Sequence, residues 1–254
     1  MKKLSVLSAI LFFFSLSVHA QGLKGILKNA TTKDSAGNSP VDNMLQKTAT
    51  GKISLSNEEI ISGLKEALAV GTGKGTQKLS AVDGFFKDAA IKILMPVEAQ
   101  KAEKTLRNFG LGKQVDNAIL SMNRAAEDAA KSAAPIFMNA IKSMSVQDGW
   151  SILKGGDFAA TEFLKLKTTA ALTEAFRPII ETSLKKTDAT KYWNTVFTSY
   201  NKFSTEKVNT DLAAYVTEKA LTGIFYQIGL EEQKIRKDPV ARTSDILKKV
   251  FSTQ

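Results

Sequence analysis

The chain contains no cysteine, and its one histidine, His19, lies in a segment that we expect to be removed. Without these side chains, the remaining protein has no common zinc site, haem attachment, cysteine nucleophile or Ser-His-Asp triad. A carboxylate-only Mg²⁺ or Ca²⁺ site stays open, but no D-x-D-x-D-G loop supports one. We therefore expect no metal and no cofactor. An enzyme is disfavoured, because catalysis would have to use Asp, Glu, Lys, Tyr, Ser or Thr.

Residues 1–20 have the pattern of a secretory signal peptide. A basic start at Lys2 and Lys3 precedes a mostly apolar stretch, and Val18-His19-Ala20 places small residues at both positions read at cleavage. The apolar run is shorter than the about 20 residues that span a bilayer, so a membrane anchor is disfavoured. We expect cleavage after Ala20, a soluble periplasmic or secreted protein, and no transmembrane segment.

The rest of the chain divides into a leader and a helical domain. Residues 21–55 are rich in polar and small residues, which favours a flexible leader. From Ser56 the pattern changes, because Ser56 and Glu59 form a capping box in front of apolar residues at helical spacing. Only residues 91–95 resemble a strand. We expect a single compact all-α domain over residues 56–252, with about eight to ten helices.

Caps and helix breakers predict where these helices lie. The expected elements are Ser56 to about Leu79, Pro96–Phe109, about Lys113 to Ser143 with a bend at Pro135, a short helix capped by Ser145, Asp157 to about Lys186 with an interruption near Pro178, Ala189–Lys202, Thr210 or Asp211 to about Lys237, and Ser244–Phe251. Residues 71–76 look like a phosphate-binding loop, but Gly75 stands where that motif needs Ser or Thr. We predict a locally loosened helix there.

The helix that follows Asp211 carries apolar side chains on two nearly opposite sides, which is typical of a central, buried helix. Lys219 falls on one of these sides. A buried ammonium is costly unless it is paired, so Lys219 should have a carboxylate partner, such as Glu127, or line a polar cavity. The alternative is a stem that packs while the ammonium reaches water.

The positive charge of the chain does not indicate a nucleic-acid partner. The formal net charge is +10, but it is spread along the chain without a basic block or aromatic residues interleaved with basic ones. A weak attraction to anionic envelope surfaces is compatible with this charge. The net positive charge is better explained as ordinary surface charge that keeps the protein soluble.

Short motifs that match one known family are distributed over residues 56–252. They are Gly63–Leu68, Asp83-Gly84-Phe85, Met122–Glu127, Ala159–Thr161, Tyr215–Leu221, Gly223–Phe225, Glu231-Glu232, Ile235-Arg236, Pro239 and Lys249–Phe251. In these motifs the chain resembles the domain of unknown function 4197 family of exported, helical bacterial proteins. It departs at Thr222, where the family usually has Asp, and at Leu94-Met95, where Pro-Leu is common. The resemblance implies a helical fold and no activity.

The resemblance and the helix geometry together single out a set of polar residues as candidates for ligand binding. They are Asn123, Arg124, Glu127, Lys219, Glu231, Glu232, Arg236 and Arg242. Two interpretations are open. These residues either form ion pairs and hydrogen bonds that fix helix packing, or they line a cleft in which Arg side chains hold an anionic or amphipathic ligand.

Three classes of function are compatible with these observations. The first is a non-enzymatic binding or interaction module for an anionic or amphipathic small molecule or envelope component. The second is a carboxylate-dependent hydrolase that pairs Glu127 with Glu231 or Glu232 and acts on an envelope substrate. The third is a purely structural envelope protein. The absence of His and Cys favours the first class, and nothing in the sequence indicates an oligomeric state.

The signal-peptide prediction can be tested by N-terminal sequencing of the exported protein. The first residue should be Gln21, because the order of basic, apolar and small residues places the cleavage after Ala20. Recovery of Met1 on a cytosolic protein would contradict both the cleavage site and export.

Overall fold

The structure of the protein, a computed structural model, describes residues 56–203 and 210–242, together with residues 205, 207, 244, 245, 248 and 250. The predicted signal peptide, the predicted leader and half of the residues of the helix predicted at Ser244–Phe251 lie outside these residues. Within them the chain forms eight α-helices and no strand, so the all-α prediction is confirmed. The helices are α1 (Asn57–Ser80), α2 (Gln100–Asn108), α3 (Gly112–Ala130), α4 (Ala133–Lys142), α5 (Val146–Lys154), α6 (Ala159–Lys186), α7 (Ala189–Phe203) and α8 (Leu212–Lys237). Short 3₁₀ turns precede α2 (Val97–Ala99) and follow α8 (Pro239–Ala241).

Side-chain caps fix where three of the helices begin. The Ser56 hydroxyl accepts a hydrogen bond from the Glu59 N–H, and the Glu59 carboxylate accepts one from the Ser56 N–H, which completes the predicted capping box of α1. A second reciprocal pair caps α5, with Ser145 at the N-cap. Asp211 caps α8 by accepting a hydrogen bond from the Ala214 N–H. Each cap satisfies an N–H group that the first turn of a helix leaves unpaired.

Pro135 and Pro178 lie inside helical sequence patterns, and at both positions the observed helices differ from the predicted ones. The expected bent helix around Pro135 is two helices, α3 and α4, with a break between them. A proline ring clashes with the carbonyl group four residues earlier, which is that of Lys131, so the first helix ends before it. Conversely, α6 runs through Pro178 without interruption. Phe176 and Ile180 are fully buried on either side of it, so their packing offsets the missing hydrogen bond.

Helix α8 lies at the centre of the packing, as its two apolar sides predict. It packs against α6, α1 and α3, and α3 also packs along α6. The α3 face is built from fully buried alanines, which let the neighbouring helix approach closely. These are Ala125, Ala126, Ala129 and Ala130. The ring of Phe225 on α8 meets that of Phe137 on α4 edge to face, with centroids 6.0 Å apart.

The strand-like residues 91–95 belong to the connection between α1 and α2, residues 81–96, which we call the connecting segment. No strand forms there among the described residues. Burial nevertheless alternates as in a strand, with Ile91, Ile93 and Met95 buried and Leu94 exposed. The alternation in the sequence therefore indicates the burial correctly, but the backbone of this segment pairs with the side chain of Asn123 rather than with another strand.

Two glycine-to-alanine substitutions should change stability in opposite directions. Gly73 lies within α1, which is continuous through the glycine-rich stretch, and a Cβ there would meet no atom within 4 Å. Gly73→Ala should therefore raise the melting temperature, because alanine stabilises a helix interior by about 0.5–1 kcal/mol relative to glycine. At Gly223 a Cβ would lie 2.5 Å from Cε1 of the buried Phe85, so Gly223→Ala should lower it. Thermal melts measure both melting temperatures. If the two substitutions shifted the melting temperature in the same direction, this packing would be contradicted.

Candidate functional site

Asn123 of α3 takes the place of a neighbouring strand for the connecting segment. Its side-chain oxygen accepts a hydrogen bond from the Ile93 N–H at 2.9 Å, and its side-chain nitrogen donates one to the Ile93 carbonyl at 2.8 Å. This is the pair of bonds that an antiparallel strand would make. Asn123 is fully buried, and with both of its polar atoms bonded it satisfies backbone groups that would otherwise be unpaired in the core.

Glu127 and Arg124 hold the first part of the same segment. One Glu127 oxygen accepts hydrogen bonds from the Phe85 and Phe86 N–H groups at 3.1 and 3.2 Å. The other lies 2.6 Å from an Arg124 guanidinium nitrogen. Arg124 also donates to Asp83, at 2.6 Å. We call Asn123, Arg124 and Glu127 the α3 clamp, because together they fasten the connecting segment to α3.

Asp83 has an unusual backbone and a perturbed carboxyl group. Its φ is +69°, in the left-handed region that few residues other than glycine adopt. Hydrogen bonds from Lys87 and Arg124 hold the pKa of its carboxyl below its ordinary value. The carboxylate therefore stays ionised above that ordinary value, where its pairing with Arg124 stabilises the loop, and the pairing is lost as the pH falls through the lowered pKa.

Glu232 of α8 caps a different helix. Its carboxylate accepts hydrogen bonds from the N–H groups of Ala160 and Thr161 and from the Thr161 hydroxyl, at 2.7–3.0 Å. These N–H groups belong to the first turn of α6, whose own N-cap residue, Phe158, offers no side-chain bond. Helix α6 therefore begins at Ala159 rather than at the predicted Asp157, since its cap comes from another helix.

The other polar candidates on and after α8 also join helix ends or neighbouring side chains. Arg236 donates to Glu232 at 2.9 Å and to the Ile152 carbonyl of α5 at 2.9 Å. Arg242 donates to the last carbonyl groups of α8, those of Ile235 and Arg236. Glu231 accepts hydrogen bonds from two nearby side chains. These donors are Lys234 at 2.8 Å and Gln227 at 3.2 Å.

These contacts favour the packing interpretation for every candidate except Lys219. Glu127 and Glu232 each accept hydrogen bonds on both carboxylate oxygens. They share no partner, because Glu127 binds the connecting segment and Glu232 binds the start of α6. A hydrolytic pair needs two carboxylates that face one substrate across a cleft. The described contacts use these groups for packing instead.

Lys219 does not pair with Glu127, which corrects the prediction. Its side chain is 43% exposed, and its ammonium nitrogen lies 3.9 Å from a Glu218 oxygen. It also lies 5.6 Å from the centroid of the Tyr215 ring. Tyr215, Lys219, Thr222 and Tyr226 follow each other at helical spacing along one side of α8. Tyr215 stacks on Trp193 of α7, with ring centroids 6.5 Å apart, whereas the other three are at least partly exposed. The half-exposed side chain agrees with the alternative of a packed stem, and the carboxylate beside the ammonium belongs to Glu218 rather than to Glu127.

Lys219 lines an open groove between α8 and the connecting segment, with a volume of about 330 Å³. The lining residues are Ala90, Ile91, Lys92, Ile93, Leu94, Tyr215, Lys219, Thr222, Gly223 and Tyr226. We call it the lysine groove, because its charged lining residues are Lys92 and Lys219. The Lys92 ammonium lies 4.0 Å from the Phe86 ring centroid. Lys92 lines the groove from the connecting segment and Lys219 lines it from α8, and no carboxylate is among the lining residues. This composition suits an anionic ligand.

Tyr215 closes one end of the lysine groove. Its hydroxyl donates a hydrogen bond to the Leu94 carbonyl at 2.8 Å, which ties α8 to the connecting segment. Burial, with smaller contributions from the carboxylates of Glu218 and Glu98, raises the pKa of Tyr215 to about 12. The phenol therefore keeps its proton at neutral pH and remains a hydrogen-bond donor.

Of the residues that line this groove, Lys219 alone was among the predicted candidates. The charged and aromatic lining residues that the prediction missed are Lys92, Tyr215 and Tyr226. The two tyrosines could have been found, since their spacing with Lys219 on α8 marks a single helix face. Lys92 gives no such signal. Its position depends on the pairing of Ile93 with Asn123, which lies 30 residues further along the chain.

Comparison with protein-family models gives a match over residues 54–252 to DUF4197, described as a protein of unknown function. Neither the curated proteins nor the solved structures contain a match to this chain.

None of the helices in the described part of the chain is long and apolar enough to cross a membrane. The same residues contain no group of three or more His, Cys, Asp or Glu side chains that could hold a metal ion.

The α3 clamp and Lys219 should differ in their effect on stability. Glu127→Gln removes a buried ionic hydrogen bond to Arg124 and should lower the free energy of unfolding by about 2 kcal/mol. Lys219→Gln alters a half-exposed side chain and should change it by less than about 0.5 kcal/mol. Urea unfolding followed by circular dichroism measures both values. A larger loss for Lys219→Gln than for Glu127→Gln would contradict these assignments.

Proposed function

The chain belongs to the DUF4197 family, a family of unknown function, and we propose that this protein is a non-enzymatic module that binds an anionic organic ligand in the lysine groove. One observation carries this proposal. Lys92 on the connecting segment and Lys219 on α8 line the same groove, and the carboxylate that lies 3.9 Å from the Lys219 ammonium, that of Glu218, is exposed. Among the described residues, the buried candidates instead bond backbone groups or other side chains; they are Asn123, Glu127, Glu231 and Glu232.

The composition of the groove supports this proposal. Ile91 and Ile93 are buried against the core and provide an apolar wall, while the lysines provide charge. The volume of about 330 Å³ is at the lower end of the range found for small-molecule sites, about 300–1,000 Å³. An apolar wall with a few converging polar groups is the usual composition of such sites.

The two alternatives have less support. For a hydrolase, the carboxylates named above would have to face substrate, whereas their hydrogen bonds are made within the fold. A purely structural role accounts for the buried polar contacts but assigns nothing to the lysine groove. From the signal-peptide pattern we also propose that the module is exported, so that its ligand is a component of the periplasm or cell envelope.

Hexyl phosphate is a suitable probe for the lysine groove, and its affinity can be measured by isothermal titration calorimetry. Lys92→Gln and Lys219→Gln should each weaken binding by about fivefold, because each removes about 1 kcal/mol of charge attraction. The matched control is Lys113→Gln, which removes an exposed lysine on α3 away from the groove. Raising the salt concentration should also weaken binding.

Both groove variants are needed to test this proposal. If they bind hexyl phosphate as tightly as the unmodified chain does, the lysine groove is not the site. The same conclusion follows if Lys113→Gln weakens binding as much as they do, since the probe would then respond only to total charge.

A further inference from the structure

A second groove lies on the other side of the exposed face of α8, between α8 and α6, with a volume of about 420 Å³. Its lining residues are Phe158, Thr161, Glu162, Lys165, Thr169, Glu218, Leu221, Thr222, Phe225, Tyr226, Gly229 and Leu230. We call it the apolar groove. Thr222 and Tyr226 line both grooves, so the two are neighbours across a single stripe of α8.

Aromatic and aliphatic side chains form the walls of the apolar groove. Leu221 and Phe225 are buried at its base. Phe158 and Tyr226 stand at its mouth and are 46% and 45% exposed. Large apolar side chains that stay open to water beside a concave surface are typical of ligand sites.

The charges at the apolar groove lie at its edge and are of both signs. They belong to Glu162, Lys165 and Glu218, which are all exposed. The lysine groove, by contrast, has only cations among its charged lining residues. Across one helix face the surface thus changes from a cationic groove to an apolar groove.

We propose that the two grooves form one site for a free, single-chain anionic amphiphile. Its anionic head would lie between Lys92 and Lys219, and its alkyl chain would cross α8 at Thr222 and Tyr226 and enter the apolar groove. This inference rests on the proposed function of the lysine groove and adds the chemical class of the ligand.

The distances along α8 suit a chain of medium length. A helix rises about 1.5 Å per residue, so about 15 Å separate Lys219 from Gly229 along the axis. A concave groove with a buried base accepts a single chain, whereas the flat surface of a bilayer cannot reach Leu221 or Phe225. The shape therefore favours a monomeric amphiphile over a membrane surface.

A chain-length series of alkyl phosphates tests this inference on the full mature chain. Ethyl, hexyl and dodecyl phosphate, each below its micelle concentration, are compared by isothermal titration calorimetry. Affinity should rise with chain length, by up to about fourfold for each methylene group that becomes buried. Dodecanol, which has no charge, should bind more weakly than dodecyl phosphate, and Lys219→Gln should reduce this difference.

Phe158→Ser should lower the affinity for dodecyl phosphate much more than that for ethyl phosphate. The matched control is Leu166→Ser, at an apolar residue of α6 that is 82% exposed and outside the groove lining. Leu166→Ser should leave the affinity for each of the three alkyl phosphates unchanged. A thermal melt of each variant shows whether it folds.

The possible results distinguish the two proposals. If the alkyl phosphates bind in a lysine-dependent way but with equal affinity at all chain lengths, the inference fails and the proposed function stands. If binding does not depend on Lys92 or Lys219, both fail. If phosphatidylglycerol vesicles bind while monomeric dodecyl phosphate does not, the surface recognises a membrane and the inference is overturned.

Discussion

A buried stretch of chain outside helices and strands needs partners for its backbone groups, and here α3 supplies them. Asn123 bonds both polar groups of Ile93, and Glu127 accepts hydrogen bonds from two further N–H groups near Phe85. The connecting segment is thereby held beside α8. Lys92 reaches the same groove as Lys219 because of this attachment, so the α3 clamp builds the proposed site without lining it.

The same principle operates at the far end of α8. Glu232 caps α6, and Arg242 bonds the last carbonyl groups of α8. Charged side chains in the core thus serve helix ends and the connecting segment, where unpaired backbone groups are concentrated. On the more exposed side of α8, Tyr215 also bonds the connecting segment, while Lys219 and Tyr226 line the lysine groove.

Local patterns in the sequence predict much of this fold. The capping box at Ser56, the N-cap at Ser145 and the central position of α8 follow from short-range spacing, and the structure agrees with them. Long-range contacts were missed. The cap of α6 comes from Glu232, more than 70 residues away in the chain, and the pairing expected between Lys219 and Glu127 does not form. A helical wheel shows which residues share a face, but not how far neighbouring helices cover that face.

The central claim is that the α3 clamp holds the connecting segment in a fixed position and so forms the lysine groove. Amide hydrogen exchange measured by NMR on residues 21–254 tests it most directly. The N–H groups of Phe85, Phe86 and Ile93 should exchange about as slowly as those in the buried part of α3, although they lie outside any helix or strand. Exchange at the rate of an exposed loop would show that the segment is not fastened, and the groove would then lose its second wall.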